Sequence, residues 1–154
     1  MWAGGSRVFS VWHPACPSVL GCGHGSHIDT GKEAKRMNRF LLIDQDDATA
    51  QRLGLGCFAE GIAVIIAENV CEGVRRLATT PVSLIVVDVG GLRLGAREHA
   101  ALFDCVAPGV PVVVAVRPDV PLETRVALEL AGFRVLPKPL APDELLKTLV
   151  SAEV

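Results

Sequence analysis

The stretch FLLIDQDD, residues 40–47, runs apolar residues into Asp44 and then, after Gln45, into Asp46 and Asp47. An apolar run without alternation suits a strand covered on both faces, because a half-exposed strand alternates with a period of two. An acid placed where such a strand stops lies at the rim of a sheet, where open parallel sheets bind their ligands. The rest of the chain decides whether a parallel sheet follows.

Further short apolar runs occur at 62–67 (IAVIIA), 84–87 (LIVV), 112–116 (VVVAV) and 133–136 (FRVL), most of them rich in Val and Ile. Between them, longer amphipathic segments predict helices at about 48–60, 69–79, 96–106, 121–131 and 142–151. Five βα units in succession imply a doubly wound parallel sheet with helices on both faces, an α/β fold. Pro121 and Pro142 are expected in the first turn of their helices, each followed closely by an acid. Gly61 and Gly132 are expected as left-handed C-caps. Gly54 and Gly56 fall inside the first helix, at about 1 kcal/mol each against Ala. Close packing on the sheet would explain them.

The chain has 154 residues, enough for one domain with a single core, and a formal net charge of −2. Near-balanced charge gives no field for nucleic acid or an anionic membrane, so neither is expected as a partner. The longest apolar stretches reach about eight residues, against the roughly 20 that a membrane helix needs. Five cysteines form an odd set, three of them inside apolar segments, which fits a reducing, cytoplasmic setting.

Residues 1–37 differ from the remainder. They hold both Trp and three of the four His, scattered among Gly, Ser and Pro, with neither a helical nor a strand period. Cys16, Cys22, His24 and His27 match no common zinc spacing, and His13, Pro14 and Pro17 break any signal-peptide core. Residues 31–36, GKEAKR, can be encoded by a purine-rich run like a ribosome-binding site just before Met37. Residues 1–37 are therefore read as a disordered or untranslated leader, and residues 38–154 as the folded domain.

With strand order 2-1-3-4-5, as in flavodoxin-like sheets, the ends of strands 1 and 3 are neighbours and carry Asp44 and Asp88. Strand 5 leads into Lys138 and Pro139 at the same rim. Two carboxylates met by an ammonium leave room for a hard divalent cation such as Mg²⁺.

These features together resemble the receiver domain of bacterial two-component response regulators. An acid ends strand 1, an Asp ends strand 3, and Lys-Pro follows strand 5 within LPKPLAPDELL, residues 136–146. The resemblance covers about residues 39–151 and implies a flavodoxin-like (βα)5 sheet. It implies Asp88 as phosphoacceptor, Asp44 and Asp88 as metal ligands, Lys138 on the phosphoryl oxygens, and a cis bond before Pro139. It also implies Mg²⁺ as cofactor and a histidine kinase, a phosphotransfer protein or another regulator as partner. The expected role is phosphorelay signalling, not enzymatic.

The sequence departs from the family at four places. The second acid expected at the end of strand 1 is Gln45, a weak metal ligand without charge, and Asp46 is a candidate substitute. The hydroxyl expected at the end of strand 4 is Val116, and the aromatic expected on strand 5 is Val135, so both switch positions are degenerate. The loop 89–95 lacks the family's proline. Arg117 has one reading as a permanent partner of Asp88, and His99 reads as a solvated surface residue. The resulting expectation is a stand-alone, atypical receiver that acts through protein contact, with helix 5 ending near Ser151. The alternative is a pseudo-receiver binding module without phosphorylation; a more distant one is a small flavodoxin-like enzyme or nucleotide binder. Asp44, Asp46 and Asp47 would repel the phosphates that this last reading requires.

Overall fold

The computed structural model describes residues 38–152; the leader expected at 1–37 lies outside them. The elements are β1 (Arg39–Ile43), α1 (Asp47–Ala59), β2 (Ala63–Ala67), α2 (Val70–Thr79), β3 (Leu84–Asp88), α3 (Ala96–Val106), β4 (Val112–Val116), α4 (Leu122–Leu130), β5 (Arg134–Pro137) and α5 (Pro142–Ala152). A single 3₁₀ turn, Val89–Gly91, follows β3. All strand pairs are parallel, in the order β2-β1-β3-β4-β5. This is the flavodoxin-like α/β fold that the sequence implies.

Alternation along the strands divides the core into two layers. Phe40, Leu42, Leu84, Val86 and Val113 pack with Ala50, Leu53 and Cys57 of α1 and Leu145 of α5. Their strand neighbours Leu41, Ile43, Ile85, Val87, Val114 and Val116 pack with Phe103 of α3 and Leu128 of α4. Both faces of the central strands are covered, which is why their sequences are continuously apolar.

Local signals account for the helix ends. Asp46 caps α1 by accepting from the Ala48 N–H, and Asn69 caps α2 by accepting from the Glu72 N–H. Gly61 and Gly132 take φ of 75° and 98° directly after α1 and α4, the left-handed conformation that glycine tolerates best. Pro142 opens α5, whereas Pro121 stands one residue before α4 and caps it without a side-chain bond. The two glycines of α1 are not explained by the sheet. A Cβ on Gly56 would lie 2.9 Å from the Pro142 Cγ of α5, and one on Gly54 would meet nothing within 4 Å. The close helix-to-sheet approach lies instead at Gly73 of α2, where a Cβ would fall 2.5 Å from the Ile43 Cδ1.

Candidate functional site

Asp44, Asp88 and Lys138 follow Leu42, Val86 and Leu136 at two-residue spacing, so they project to the α1–α5 side of the sheet. Register places Asp88 beside Ala115 of β4. The Lys138 N–H donates to the Val116 carbonyl at 2.8 Å, carrying the β4–β5 pairing past Pro137. The Lys138–Pro139 peptide is cis.

The Lys138 Nζ lies 3.0 Å from Asp44 Oδ2 and 2.8 Å from Asp88 Oδ1. Each carboxylate uses its other oxygen on the loop that leaves its strand. Asp44 Oδ1 accepts from the Asp46 N–H at 2.9 Å, and Asp88 Oδ2 accepts from the Gly90 N–H at 3.1 Å. Side-chain exposure is 5% for Asp44 against 19% for Asp88 and 20% for Lys138, so Asp44 forms the floor and Asp88 faces the approach. Burial pushes the Lys138 ammonium down, but its hydrogen bonds and charge interactions with Asp88 and Asp44 outweigh this and raise its pKa above the usual lysine range.

No protein-family model matches the chain. The transcriptional regulatory protein GlrR of Escherichia coli K12 is 30% identical over 112 residues, which cover 73% of this chain and 25% of that protein. The chain thus spans about a quarter of the length of the curated relatives it matches. A CheY-like response regulator receiver domain protein from Methanospirillum hungatei superposes with a TM-score of 0.65 at 24% identity, covering 76% of this chain and 97% of that one. A response regulator from Burkholderia pseudomallei, solved with a phosphorylated aspartic acid, calcium and citrate, gives 0.64 at 24% identity over 75% of this chain and 69% of that one. The chain contains a response-regulator receiver domain.

Within this receiver, Gln45 is exposed and does not line the cavity at the rim. Asp46 does not replace it. Strand β1 ends at Ile43, so alternation no longer governs position 46, and the Asp46 carboxylate turns back to accept from the Ala48 N–H and the Thr49 hydroxyl. Among the described residues no group of three or more His, Cys, Asp or Glu converges as a metal site. Asp44 and Asp88 remain as hard oxygen donors, a set that fits a divalent cation completed by water and phosphoryl oxygens.

Val116 is 1% exposed and belongs to the apolar layer under α3 and α4, where Val135 packs against the same cluster. Arg117 does not partner Asp88. It is exposed, with its Nε 3.6 Å from Asp119 Oδ1, because β4 has ended and the chain turns away from the rim. The loop that begins there is held by Arg125 of α4, whose guanidinium donates to the Arg117 and Pro118 carbonyls at 3.2 Å each. Sequence reading did not single out Arg125, although an arginine in the first turns of a helix just after a proline-rich loop is placed to bond that loop.

His99 is not a surface residue. It is 2% exposed, four residues before Phe103 on the apolar stripe of α3, with its ring stacked at 6.3 Å between centroids. Its Nε2 accepts from the Leu94 N–H at 3.0 Å, tying the β3–α3 loop to the helix. Its Nδ1 is buried without a partner among the described residues, and burial lowers the pKa, with the Glu98 charge opposing. The i, i+4 spacing to Phe103 was the signal for its burial.

Proposed function

We propose that this receiver domain accepts a phosphoryl group on Asp88 in a two-component phosphorelay and signals through protein contact rather than catalysis of its own. The observation that carries this reading is the Lys138 ammonium bridging Asp44 and Asp88 at 3.0 and 2.8 Å. In the transfer, an Asp88 carboxylate oxygen attacks phosphorus and the bond from phosphorus to the donor breaks, leaving an acyl phosphate. With a phosphohistidine donor, on a histidine kinase or a phosphotransfer protein, the leaving imidazole takes its proton from solvent.

Lys138 then offsets the charge gathering on the phosphoryl oxygens while Asp44 holds Lys138 in line. Asp44 and Asp88 would hold a Mg²⁺ ion, which supplies further neutralisation of those oxygens. Gln45 would add at most a neutral amide oxygen, so the metal is held weakly. No helix among the described residues is long and apolar enough to cross a membrane, and a cytoplasmic setting matches the free thiols Cys57, Cys71 and Cys105.

Val116 and Val135 support a second feature of the reading, an output face that stays in one state. A phosphoryl group shifts an equilibrium only by differential contact with two conformations, and neither residue has a polar group to make one. Incubation with a small acyl-phosphate donor and Mg²⁺ tests the proposal: label on the wild type that disappears in Asp88→Asn supports it. Label that survives Asp88→Asn places the acceptor elsewhere. A wild type that takes no label leaves the pseudo-receiver, a binding module without phosphorylation, as the better account.

A further inference from the structure

Beneath the rim lies a cavity of about 520 Å³, between α1 and the segment joining β5 to α5. Its walls are mainly apolar, from Leu42, Leu53, Ala115, Leu140 and Pro142, and it stays hollow because Gly56, Ala115 and Ala141 are small. The volume falls in the range of about 300–1,000 Å³ that sites for small organic molecules occupy. Asp44, Asp88 and Lys138 close one end, and Thr49 and Arg52 of α1 stand along the wall. A phosphoryl group needs only the charged end. The apolar remainder has no part in the transfer described above.

Charge fixes the class of ligand. Arg52 is exposed and takes part in none of the salt bridges among the described residues. The two acids and Lys138 together carry one net negative charge at the opposite end. An anionic head is therefore drawn to Arg52 and driven from the acids, while an apolar body fills the space over Leu42, Ala115 and Leu140.

We infer that this cavity binds a small amphipathic anion, a ring-bearing monocarboxylate, with its carboxylate on Arg52 and its apolar ring against Leu42, Ala115 and Leu140. The site does not depend on Asp88 being phosphorylated. Its occupant lies against Lys138 and Pro139, so occupancy bears directly on access to the rim.

Titrating naphthoate into isotope-labelled full chain, followed by amide chemical shifts, tests the inference. Saturable shifts are expected along α1 and at 138–142. Arg52→Glu, an exposed change that leaves the thermal midpoint in place, should weaken naphthoate about tenfold or more, through loss of a charge-assisted bond and gain of repulsion. Naphthalenemethanol, the neutral analogue, should change less than about twofold. Ala141→Phe fills the cavity from the loop side and should abolish binding of both. No saturable binding, shifts centred on the exposed Leu122, Val126 and Leu130 of α4, or equal naphthoate affinity in Arg52→Glu would each overturn the assignment. Acyl-phosphate labelling of Asp88, measured separately, separates a failure here from a failure of the phosphorelay reading.

Discussion

On the α1–α5 side the sheet ends in Asp44, Asp88 and Lys138 held against one another, whereas on the α2–α3–α4 side Val116 ends β4 and Val135 packs beneath it. The first layer keeps charged groups by giving each a partner. The second buries a titratable group, His99, whose charged form burial disfavours. On the proposed reading the two layers divide the work of a signalling device, between groups that would receive a phosphoryl group and groups that would respond to it. The first role is assigned to Asp88 with Asp44 and Lys138, and the second layer lacks a polar side chain to couple with.

Removing the shared cation breaks the comparison most severely. Lys138→Met leaves two carboxylates facing each other, and the loss should be about 2–3 kcal/mol at neutral pH, below the full cost of an unpaired buried charge because the site is partly open. Salt screens that repulsion, so the gap to wild type should narrow as ionic strength rises. Urea unfolding at low and high salt measures it. A loss that does not change with salt would mean that packing of the lysine stem, not charge, had been removed.

Installing a polar group on the other layer is the next largest change. A hydroxyl in Val116→Thr enters an apolar cluster and should cost about 1–2 kcal/mol without phosphorylation. With Val135→Tyr added, beryllofluoride, a phosphoryl mimic, should spread amide shift changes across residues 117–140. In the wild type the same changes should stay near Asp88, helped by the Arg125 bonds that fix the β4–α4 loop. Changes spreading across 117–140 in the wild type would show a working switch by another route.

The charged layer was the easier one to read in the sequence. Strand runs at 40–43 and 84–87 end directly in Asp44 and Asp88, and parallel strand order alone brings those ends together, so backbone geometry sufficed. Lys138 followed from the same logic two strands away from Asp88. His99 was misread, and the one reading that paired Arg117 with Asp88 does not hold, because their places depend on which helix stripe faces inward or on which way a chain turns after its strand. The cavity beside Gly56 was invisible for a related reason. It depends on the distance between α1 and Pro142, a tertiary quantity that no local pattern encodes.

Gln45→Asp sharpens the comparison from within the charged layer. A third carboxylate near Asp44 and Asp88 should raise Mg²⁺ affinity about tenfold and lower metal-free stability by about 0.5 kcal/mol, because the empty site then holds unbalanced charge. Metal titration of both proteins provides the check. Equal affinities would mean that position 45, exposed as it is, stays outside the metal's reach.

A pH-dependent effect is expected at His99, a titratable group buried in the apolar layer. Burial lowers its folded pKa below the unfolded value of about 6.5. Above that pH both states are neutral and His99 adds no slope. As pH falls below about 6.5 the unfolded chain takes up the proton first, so stability declines until the lower folded pKa is reached and is level beyond it. His99→Phe keeps the aromatic contact with Phe103 but removes the proton site, and it also frees the Leu94 N–H that His99 now accepts. The variant should therefore be weaker by about 1 kcal/mol at pH 7. Its curve between about pH 6.5 and 5 should be flatter than that of the wild type, the difference staying below about 1 kcal/mol. Parallel curves would mean that His99 binds its proton equally well in both states, and the contrast between a paired, charged layer and a neutral one would lose its second member.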